Sequence, residues 1–209
     1  AKAAMKKIRI LAFSDLHGSE AALKILARKA KKADVVVCAG DFTVFEHNIL
    51  RIMRKLDTLG KPVMLVNGNH EDEMLVAEIC RTLKNVKQIH RKTYSSDQFP
   101  EYAFVGHGGE GFDAVSEDFE RFSATAINKI KQLQKQKKKI VFVTHQPPHN
   151  TKVDYIWAHH GNKSYTRFIK KFQPAVAVCG HLHETQGKKD KIGKTLIINP
   201  GPKGKIIEI

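Results

Sequence analysis

Five short motifs in this chain carry side chains that bind metal ions, and each motif follows an apolar run. Their donors are carboxylate and amide oxygens and imidazole nitrogens, with no cysteine among them. Such donors suit a divalent transition metal, whereas thiolate-rich sets are typical of structural zinc. In chain order the seven candidate ligands are Asp15, His17, Asp41, Asn69, His145, His181 and His183.

A set of this size can hold two ions if one carboxylate bridges them. Two ions a few Å apart form a clamp that hydrolyses phosphate esters, because they activate a water and neutralise charge on the phosphate. The alternative interpretation is that these residues are unrelated turn residues and histidines buried in the core. Five motifs at the ends of apolar runs in 209 residues argue against that alternative.

Alternating strands and helices are expected to position the first three motifs. Residues 8–13, 35–39 and 63–66 are short apolar runs, which predict strands covered on both faces. Apolar residues at helical spacing lie between them, and Ser19 is a candidate cap of the first helix. This order implies parallel strands joined by right-handed crossovers. Ligands collect at the carboxyl ends of such strands, so the motifs are expected to meet in one cleft.

The rest of the chain predicts further helices over residues 72–83, 119–133 and 165–172, and strands over residues 103–106, 140–144 and 175–179. Residues 194–198 and 205–209 flank a turn rich in proline and glycine, which predicts a terminal hairpin. No linker or repeat interrupts the pattern. A single domain over residues 1–209 is therefore expected, with residues 1–4 read as an addition before a natural start at Met5.

The motif set resembles that of the calcineurin-like metallophosphoesterase superfamily, in particular its small single-domain prokaryotic phosphodiesterases. The superfamily pattern of D-x-H, G-D, G-N-H-[DE], G-H and G-H-x-H occurs here in order, with Thr144 in place of the glycine before His145. The resemblance implies an α/β fold, a two-sheet α/β/β/α sandwich. It also implies a binuclear metal-dependent phosphoesterase in which a metal-bound hydroxide attacks the phosphorus of a phosphodiester.

The resemblance also implies how the ligands divide between two divalent ions. One ion would be held by Asp15, His17, Asp41 and His183. The other would be held by Asp41, Asn69, His145 and His181, with Asp41 as the bridge. Manganese is the expected ion, with iron, zinc and nickel as alternatives.

Three further histidines are candidates for contact with substrate. The resemblance makes His70 a catalytic residue that protonates the leaving oxygen or stabilises the transition state, and a near-neutral pKa suits that role. Residues 40–46 lack the second aspartate and the arginine of the G-D-x-x-D-R-G motif of phosphoprotein phosphatases, which argues against that branch. Asp72 is then a candidate support for His70. His107, in a glycine-rich loop, and His160, in an irregular segment, are candidate substrate-binding residues.

The net charge of +15 favours anionic partners and fits a phosphoester substrate. Nucleic acid is a second candidate partner, and a nuclease is one alternative function. A non-catalytic scaffold resembling the retromer subunit is another alternative function, but such a scaffold should lack some of the metal-binding side chains, and all seven are present here. The irregular segment at residues 147–160 can serve substrate choice or a homo-oligomer contact. Three scattered cysteines and the lack of a long apolar run favour a reducing, cytoplasmic setting without a membrane.

Overall fold

The computed structural model describes residues 7–109 and 111–209, so the expectation about residues 1–4 lies outside the described residues. Strands and helices alternate along the first part of the chain. In order they are β1 (Arg9–Phe13), α1 (Glu20–Ala30), β2 (Val35–Ala39), α2 (Ile49–Asp57), β3 (Val63–Val66), α3 (Glu73–Arg81) and β4 (Val86–Gln88). The parallel pairing of β1, β2 and β3 in chain order is confirmed, and β4, which the sequence did not predict, continues it.

The rest of the chain forms a second sheet, two helices, a small hairpin and one more strand of the first sheet. In chain order these elements are β5 (Lys92–Ser95), β6 (Tyr102–His107), α4 (Glu117–Lys135), β7 (Lys139–Thr144), β8 (Tyr155–Ile156), β9 (Ala158–His159), α5 (Lys163–Phe172), β10 (Val176–Val178), β11 (Lys189–Ile192), β12 (Thr195–Ile198) and β13 (Lys205–Glu208). The strand order of the second sheet is β11-β12-β10-β7-β6-β5, and that of the first sheet is β13-β1-β2-β3-β4. Strands β8 and β9 form a separate small hairpin.

The two sheets pack face to face with helices on both outer sides, which confirms the α/β/β/α sandwich. Strand β1 illustrates the pattern, because its side chains alternate between two cores. Leu11 and Phe13 pack in the core beneath α1 and α2, whereas Ile10 and Ala12 pack between the sheets. A third core lies under α4 and α5 and includes Phe119. Burial on both faces explains why the strands are continuous apolar runs.

The predicted C-terminal hairpin is wrong. Strand β12 pairs with β10 and β11 in the second sheet, whereas β13 crosses to the first sheet and runs antiparallel to β1. The side-chain oxygen of Asn199 accepts hydrogen bonds from Ser14 Oγ and the Gly201 amide at the crossing. Ile207 is then buried between the sheets. An apolar run beside a turn does not reveal which sheet it joins, so the local pattern missed this crossover.

The cap predicted for α1 is confirmed. Ser19 caps α1, since its hydroxyl accepts a hydrogen bond of 3.2 Å from the Ala22 amide. All three cysteines are free, and Cys38 and Cys179 are buried. Within residues 7–109 and 111–209, no helix combines the length and the apolar character that crossing a bilayer would require.

Candidate metal centre

The seven candidate ligands all lie just beyond the carboxyl ends of five strands from both sheets. Strands β1, β2 and β3 end before Asp15, Asp41 and Asn69, and β7 and β10 end before His145 and His181. The two sheets present these ends to a common cleft, so loops far apart in sequence meet there. This placement follows the general rule for open α/β sheets.

Short contacts connect all seven side chains. His183 Nε2 lies 3.1 Å from His17 Nε2 and 3.8 Å from Asp15 Oδ1. Asp41 Oδ2 lies 3.9 Å from His17 Nε2 and 3.4 Å from His145 Nε2.

Asn69 completes the set on the other side of Asp41. Its Oδ1 lies 3.0 Å from His145 Nε2 and 3.1 Å from His181 Nδ1. Asp41 therefore lies between two groups of donors. We name these seven side chains the donor cluster.

The backbone of the donor cluster is held in an uncommon conformation. Asp15, His17, Asp41 and His181 have φ values of 52°, 44°, 51° and 68°, in the left-handed region that side chains other than glycine rarely adopt. Each such residue costs on the order of 1–3 kcal/mol and persists only where surrounding contacts fix it. Strain of this kind at four of the seven candidate ligands marks a site whose geometry is selected for something other than stability.

Close approach of two loops explains the glycines of the second and third motifs. A Cβ on Gly68 would lie 1.9 Å from Asp41 Oδ1, and a Cβ on Gly40 would lie 2.7 Å from Gly68 Cα. Any side chain at either position would push the two strand ends apart. The glycines therefore allow Asp41 and Asn69 to reach the same centre.

Two of the histidines are oriented by main-chain carbonyls. The Nδ1–H of His17 donates to the Thr43 carbonyl at 3.0 Å, and the Nδ1–H of His145 donates to the Ala39 carbonyl at 2.8 Å. In the neutral rings this arrangement leaves the Nε2 lone pairs pointing into the donor cluster. Metal-binding histidines are commonly fixed in this way.

The donor cluster requires positive charge at its centre. The lone pair of His145 Nε2 faces oxygens of Asp41 and Asn69, so acceptors face acceptors. A proton can meet this demand: burial lowers the pKa of His145, but the hydrogen bond and charge of Asp41 outweigh it and raise the pKa to about 9. Asp15 Oδ2 and His181 Nε2 are also buried without a hydrogen-bond partner.

These observations test whether the residues fit metal ions. Three groups of carboxylate and imidazole donors have ligand atoms within 4.8 Å of one another: Asp15, His17 and His183; His17, Asp41 and His70; and Asp41, His145 and His181. Asn69 adds a neutral oxygen to the last group. Oxygen and imidazole donors without thiolate suit divalent transition metals. The donor set therefore fits the cation chemistry that the sequence predicts.

Glu71 holds the second and third motifs together, a role the sequence reasoning missed. This buried carboxylate accepts hydrogen bonds from the amides of Asp41, Thr43 and Gly68 and from the Thr43 hydroxyl, at 2.7 to 3.1 Å. The pKa of Glu71 is raised, because the effects of burial and of the charge of Asp41 exceed the opposite effect of the hydrogen bonds from Gly68 and Thr43. The acidic position of the G-N-H-[DE] pattern was the available signal, since it directly follows the candidate ligand and the candidate acid.

His70 lies at the edge of the donor cluster, with Nε2 3.8 Å from Asp41 Oδ2. Its support is not Asp72, whose carboxylate instead caps α3 at the amides of Met74 and Leu75. The main-chain amide of Phe45 donates to His70 Nδ1 at 3.2 Å. Because Nδ1 accepts this bond, neutral His70 carries its proton on Nε2, the nitrogen on the side of Asp41.

The structure does not bring His107 to the donor cluster. Its buried ring donates from Nε2 to Asp118 at 3.0 Å, and its Nδ1 accepts from the Tyr165 hydroxyl at 2.8 Å. Both nitrogens are used inside the protein, which argues against a contact with substrate. His160 is exposed, and its ring lies 6.1 Å from Phe112, whose ring is 4.5 Å from His181. His160 is therefore at the rim of the site.

Comparisons with known proteins agree with this architecture. The family model of calcineurin-like phosphoesterases matches residues 8–185. An uncharacterised protein of Methanocaldococcus jannaschii is 32% identical over 208 residues, which cover 95% of this chain and 90% of that protein.

Two solved structures share the fold. A protein of Thermus thermophilus has a TM-score of 0.72 at 19% identity, over 95% of this chain and 91% of the other. A dimetal phosphatase from Danio rerio has a TM-score of 0.61 at 13% identity, over 92% and 86%. Because the family match spans most of the chain, this protein belongs to the calcineurin-like phosphoesterases, metal-dependent hydrolases of phosphate esters.

Proposed function

We propose that the protein hydrolyses phosphodiesters at a centre of two divalent metal ions held by the donor cluster. One observation carries the proposal: the side chains of both predicted ligand sets are linked by short contacts, with Asp41 between them. A carboxylate in that position has two oxygens and can serve two cations. Metal binding by each of the seven residues is part of the proposal.

We assign the donors to the two ions as the family resemblance implies. Asp15, His17 and His183 would hold one ion, and Asn69, His145 and His181 the other. Asp41 would contribute to both. When bound, two such ions supply an activated water and neutralise charge on the non-bridging phosphate oxygens. Manganese is the first expectation for an assay, with iron, zinc and nickel as alternatives.

His70 would stabilise the transition state by donating a hydrogen bond from Nε2 to the leaving oxygen. The Phe45 amide fixes its neutral form with the proton on Nε2, and that nitrogen lies on the side of Asp41. A positioned hydrogen-bond donor at a developing negative charge contributes about 10²–10³-fold to a rate. A carboxylate partner is not needed, since the hydrogen bond from the main chain sets the tautomer.

An open rim favours diesters over monoesters. The His183 side chain is 56% exposed, and Phe45 and Phe112 beside the donor cluster are 78% and 71% exposed. A phosphate bound at such a centre can carry an organic group on either side without meeting the protein core. The net charge of +15 draws anionic esters toward the surface.

The test combines metal analysis with hydrolysis of bis(p-nitrophenyl) phosphate and p-nitrophenyl phosphate. We expect two ions per chain after manganese loading, loss of turnover on chelation, recovery on adding manganese, and a higher kcat/KM for the diester. One ion per chain would contradict the binuclear centre, and preference for the monoester would contradict the diester assignment.

The same assay separates the alternatives. A scaffold would give no metal-dependent turnover of either ester. A nuclease would degrade single- or double-stranded DNA or RNA with a kcat/KM well above that for the small diester. The strained backbone at four of the seven candidate ligands argues against the scaffold. A protein without catalysis would gain nothing from that strain.

A further inference from the structure

Phe45 occupies a position that folding alone does not explain. Its side chain is 78% exposed, although its ring lies 4.4 Å from the ring of His70. Its φ of 45° is in the left-handed region, an outlier for a bulky residue. Exposing an apolar ring on a strained backbone stabilises no core. The position therefore favours a contact with something outside the chain.

Contacts on either side of Phe45 hold it in place. The Phe45 amide donates to His70 Nδ1, and the next amide, of Glu46, donates to Thr43 Oγ1 at 3.2 Å. The Glu46 carboxylate accepts from the Asp72 amide at 2.7 Å. These hydrogen bonds hold the turn that carries the Phe45 ring, and one of them joins the turn to His70.

Phe112 is a second exposed ring at the donor cluster. It lies in the loop between β6 and α4, is 71% exposed, and approaches the ring of His181 to 4.5 Å at an interplanar angle of 67°. His160 lies on its other side, at 6.1 Å between ring centroids. Phe112 therefore borders the opposite group of donors from the one that Phe45 approaches through His70.

A chain of contacts through the donor cluster separates the two phenylalanines. It runs from Phe45 to His70, from His70 to Asp41 at 3.8 Å, and from Asp41 to His145 at 3.4 Å. It continues from the His145 ring to that of His181 at 5.1 Å and ends at Phe112. Exposed apolar residues scattered singly are normal on protein surfaces. Phe45 and Phe112 instead lie at the two ends of one donor cluster, which indicates a shared role.

We propose that Phe45 and Phe112 determine specificity by contacting planar aromatic groups of the ester, so that the preferred substrates are phosphodiesters with an aryl or nucleobase group. This inference rests on the proposed function. Because the contacts from Phe45 and Phe112 reach the donor cluster from its two ends, a phosphate held there would have one ring on each side for an ester group. Stacking on aromatic side chains tolerates any base, because every base has a π-face. It therefore selects a class of ester rather than one compound.

The test compares esters that share a leaving group and differ in the retained group. The manganese-loaded protein is given thymidine 5′-(p-nitrophenyl) phosphate, phenyl p-nitrophenyl phosphate and methyl p-nitrophenyl phosphate. We expect kcat/KM for the thymidine and phenyl esters to exceed that for the methyl ester by about tenfold or more. Of the two variants Phe45→Ala and Phe112→Ala, the one that removes the ring facing the retained group should lower this ratio at least threefold. The other removes the ring facing the shared p-nitrophenyl group and should lower kcat/KM for all three esters alike, and in the double variant the ratio should approach one.

A binding measurement removes any effect on the chemical step. Calorimetric titration with phenylphosphonate and methylphosphonate, neither of which is hydrolysed, should show tighter binding of the phenyl compound by about tenfold in the wild type. That advantage should shrink in both alanine variants and persist in Phe112→Trp. Ile206→Ala removes an exposed apolar side chain on β13 and is the control, with unchanged ratios.

The outcomes separate this inference from the proposed function. If the wild type turns over all three esters at similar kcat/KM, or the alanine variants keep the wild-type ratio, the aromatic subsite is wrong while the phosphodiesterase stands. If the wild type turns over none of them with manganese, the proposed function itself fails. A preference for thymidine without one for phenyl would indicate recognition of the sugar and would also overturn the stacking role.

Discussion

Two groups of histidines in this molecule differ in how their ring nitrogens are satisfied. In the donor cluster, atoms that accept hydrogen bonds face one another, as the lone pair of neutral His145 Nε2 faces Asn69 Oδ1 at 3.0 Å. A second group, His90 and His107, lies beneath α4, and we call it the buried pair. There the Gly108 amide donates to His90 Nδ1 at 2.9 Å, and His90 Nε2 lies 2.7 Å from Glu73 Oε2.

The net shift of the pKa differs between His145 and the buried pair. Burial, with the charge of the other histidine, lowers the pKa of His90 to about 4, and burial also lowers the pKa of His107. In the donor cluster burial likewise lowers the pKa of His181 to about 4, but at His145 the Asp41 carboxylate overcomes burial and raises the pKa to about 9. The neutral His107 ring has a hydrogen-bond partner at each nitrogen, whereas the lone pair of neutral His145 Nε2 faces the oxygens of Asp41 and Asn69. Facing acceptors therefore distinguish His145 from His107.

Replacing the bridging carboxylate is the strongest way to break this comparison. Asp41→Asn keeps the shape of the side chain but removes the charge that both groups of donors share. We expect both metal sites to lose occupancy and kcat/KM to fall by about 10³-fold or more. Elemental analysis after gel filtration gives the metal content.

The matched control is Asp118→Asn, which removes the carboxylate partner of His107 in the buried pair. It should retain two ions per chain. Equal metal content and equal turnover in Asp41→Asn and Asp118→Asn would show that the donor cluster does not depend on Asp41 to bind metal ions.

His70→Ala sharpens the comparison within the donor cluster itself. The variant should keep its metal ions but lose about 10²–10³-fold in kcat, because a hydrogen-bond donor is missing rather than a ligand. The loss should be larger for a phenyl leaving group than for p-nitrophenyl, since the poorer leaving group depends more on stabilisation of the negative charge that develops on its oxygen. Loss of metal from His70→Ala would instead make His70 a ligand, as its place in one of the three donor groups allows.

The sequence predicted the donor cluster better than its surroundings, for a physical reason. Parallel strands bring their carboxyl ends together, so the residue following each apolar run had to approach the cleft. The support of His70 could not be predicted, because its donor is a main-chain amide, which every residue but proline has. The partners of His107 come from α4 and α5, and no local pattern links those positions.

The same limit applies at the C-terminus. Residues 195–198 and 205–208 are both strands, as the apolar pattern indicates, but they belong to different sheets. Side-chain spacing predicts which face of a strand is buried and not which neighbour it pairs with. The exposed Phe112 had no signal either, since an isolated phenylalanine in a loop has no periodicity.

His107→Ala should affect stability rather than chemistry. The ring is buried against Phe119 and Tyr165, so its removal leaves a cavity and takes away the hydrogen bond between His107 and the Tyr165 hydroxyl. We expect a loss of about 2–4 kcal/mol in the free energy of unfolding, measured by urea titration, with metal content unchanged. Unchanged stability together with a raised KM would restore the substrate contact that the sequence suggested for His107.

The smallest expected effect is a pH dependence of stability that His90 controls. Its pKa is about 4 in the folded protein against an ordinary value of 6.5, so the unfolded chain binds a proton first as the pH falls. The neutral ring therefore contributes stability fully above about pH 6.5 and loses it progressively toward pH 4. Between pH 7 and pH 5 this loss amounts to about 1–2 kcal/mol.

His90→Asn isolates that contribution, because asparagine can accept the bond from the Gly108 amide but does not titrate. The variant should be less stable than the wild type at pH 7, since it loses the approach of His90 to Glu73. The gap between the two should narrow by about 1–2 kcal/mol at pH 5, because only the wild type gains the proton on unfolding. A constant gap would mean that the pKa of His90 is the same in the folded and the unfolded chain, so that burial would not set the charge of this ring.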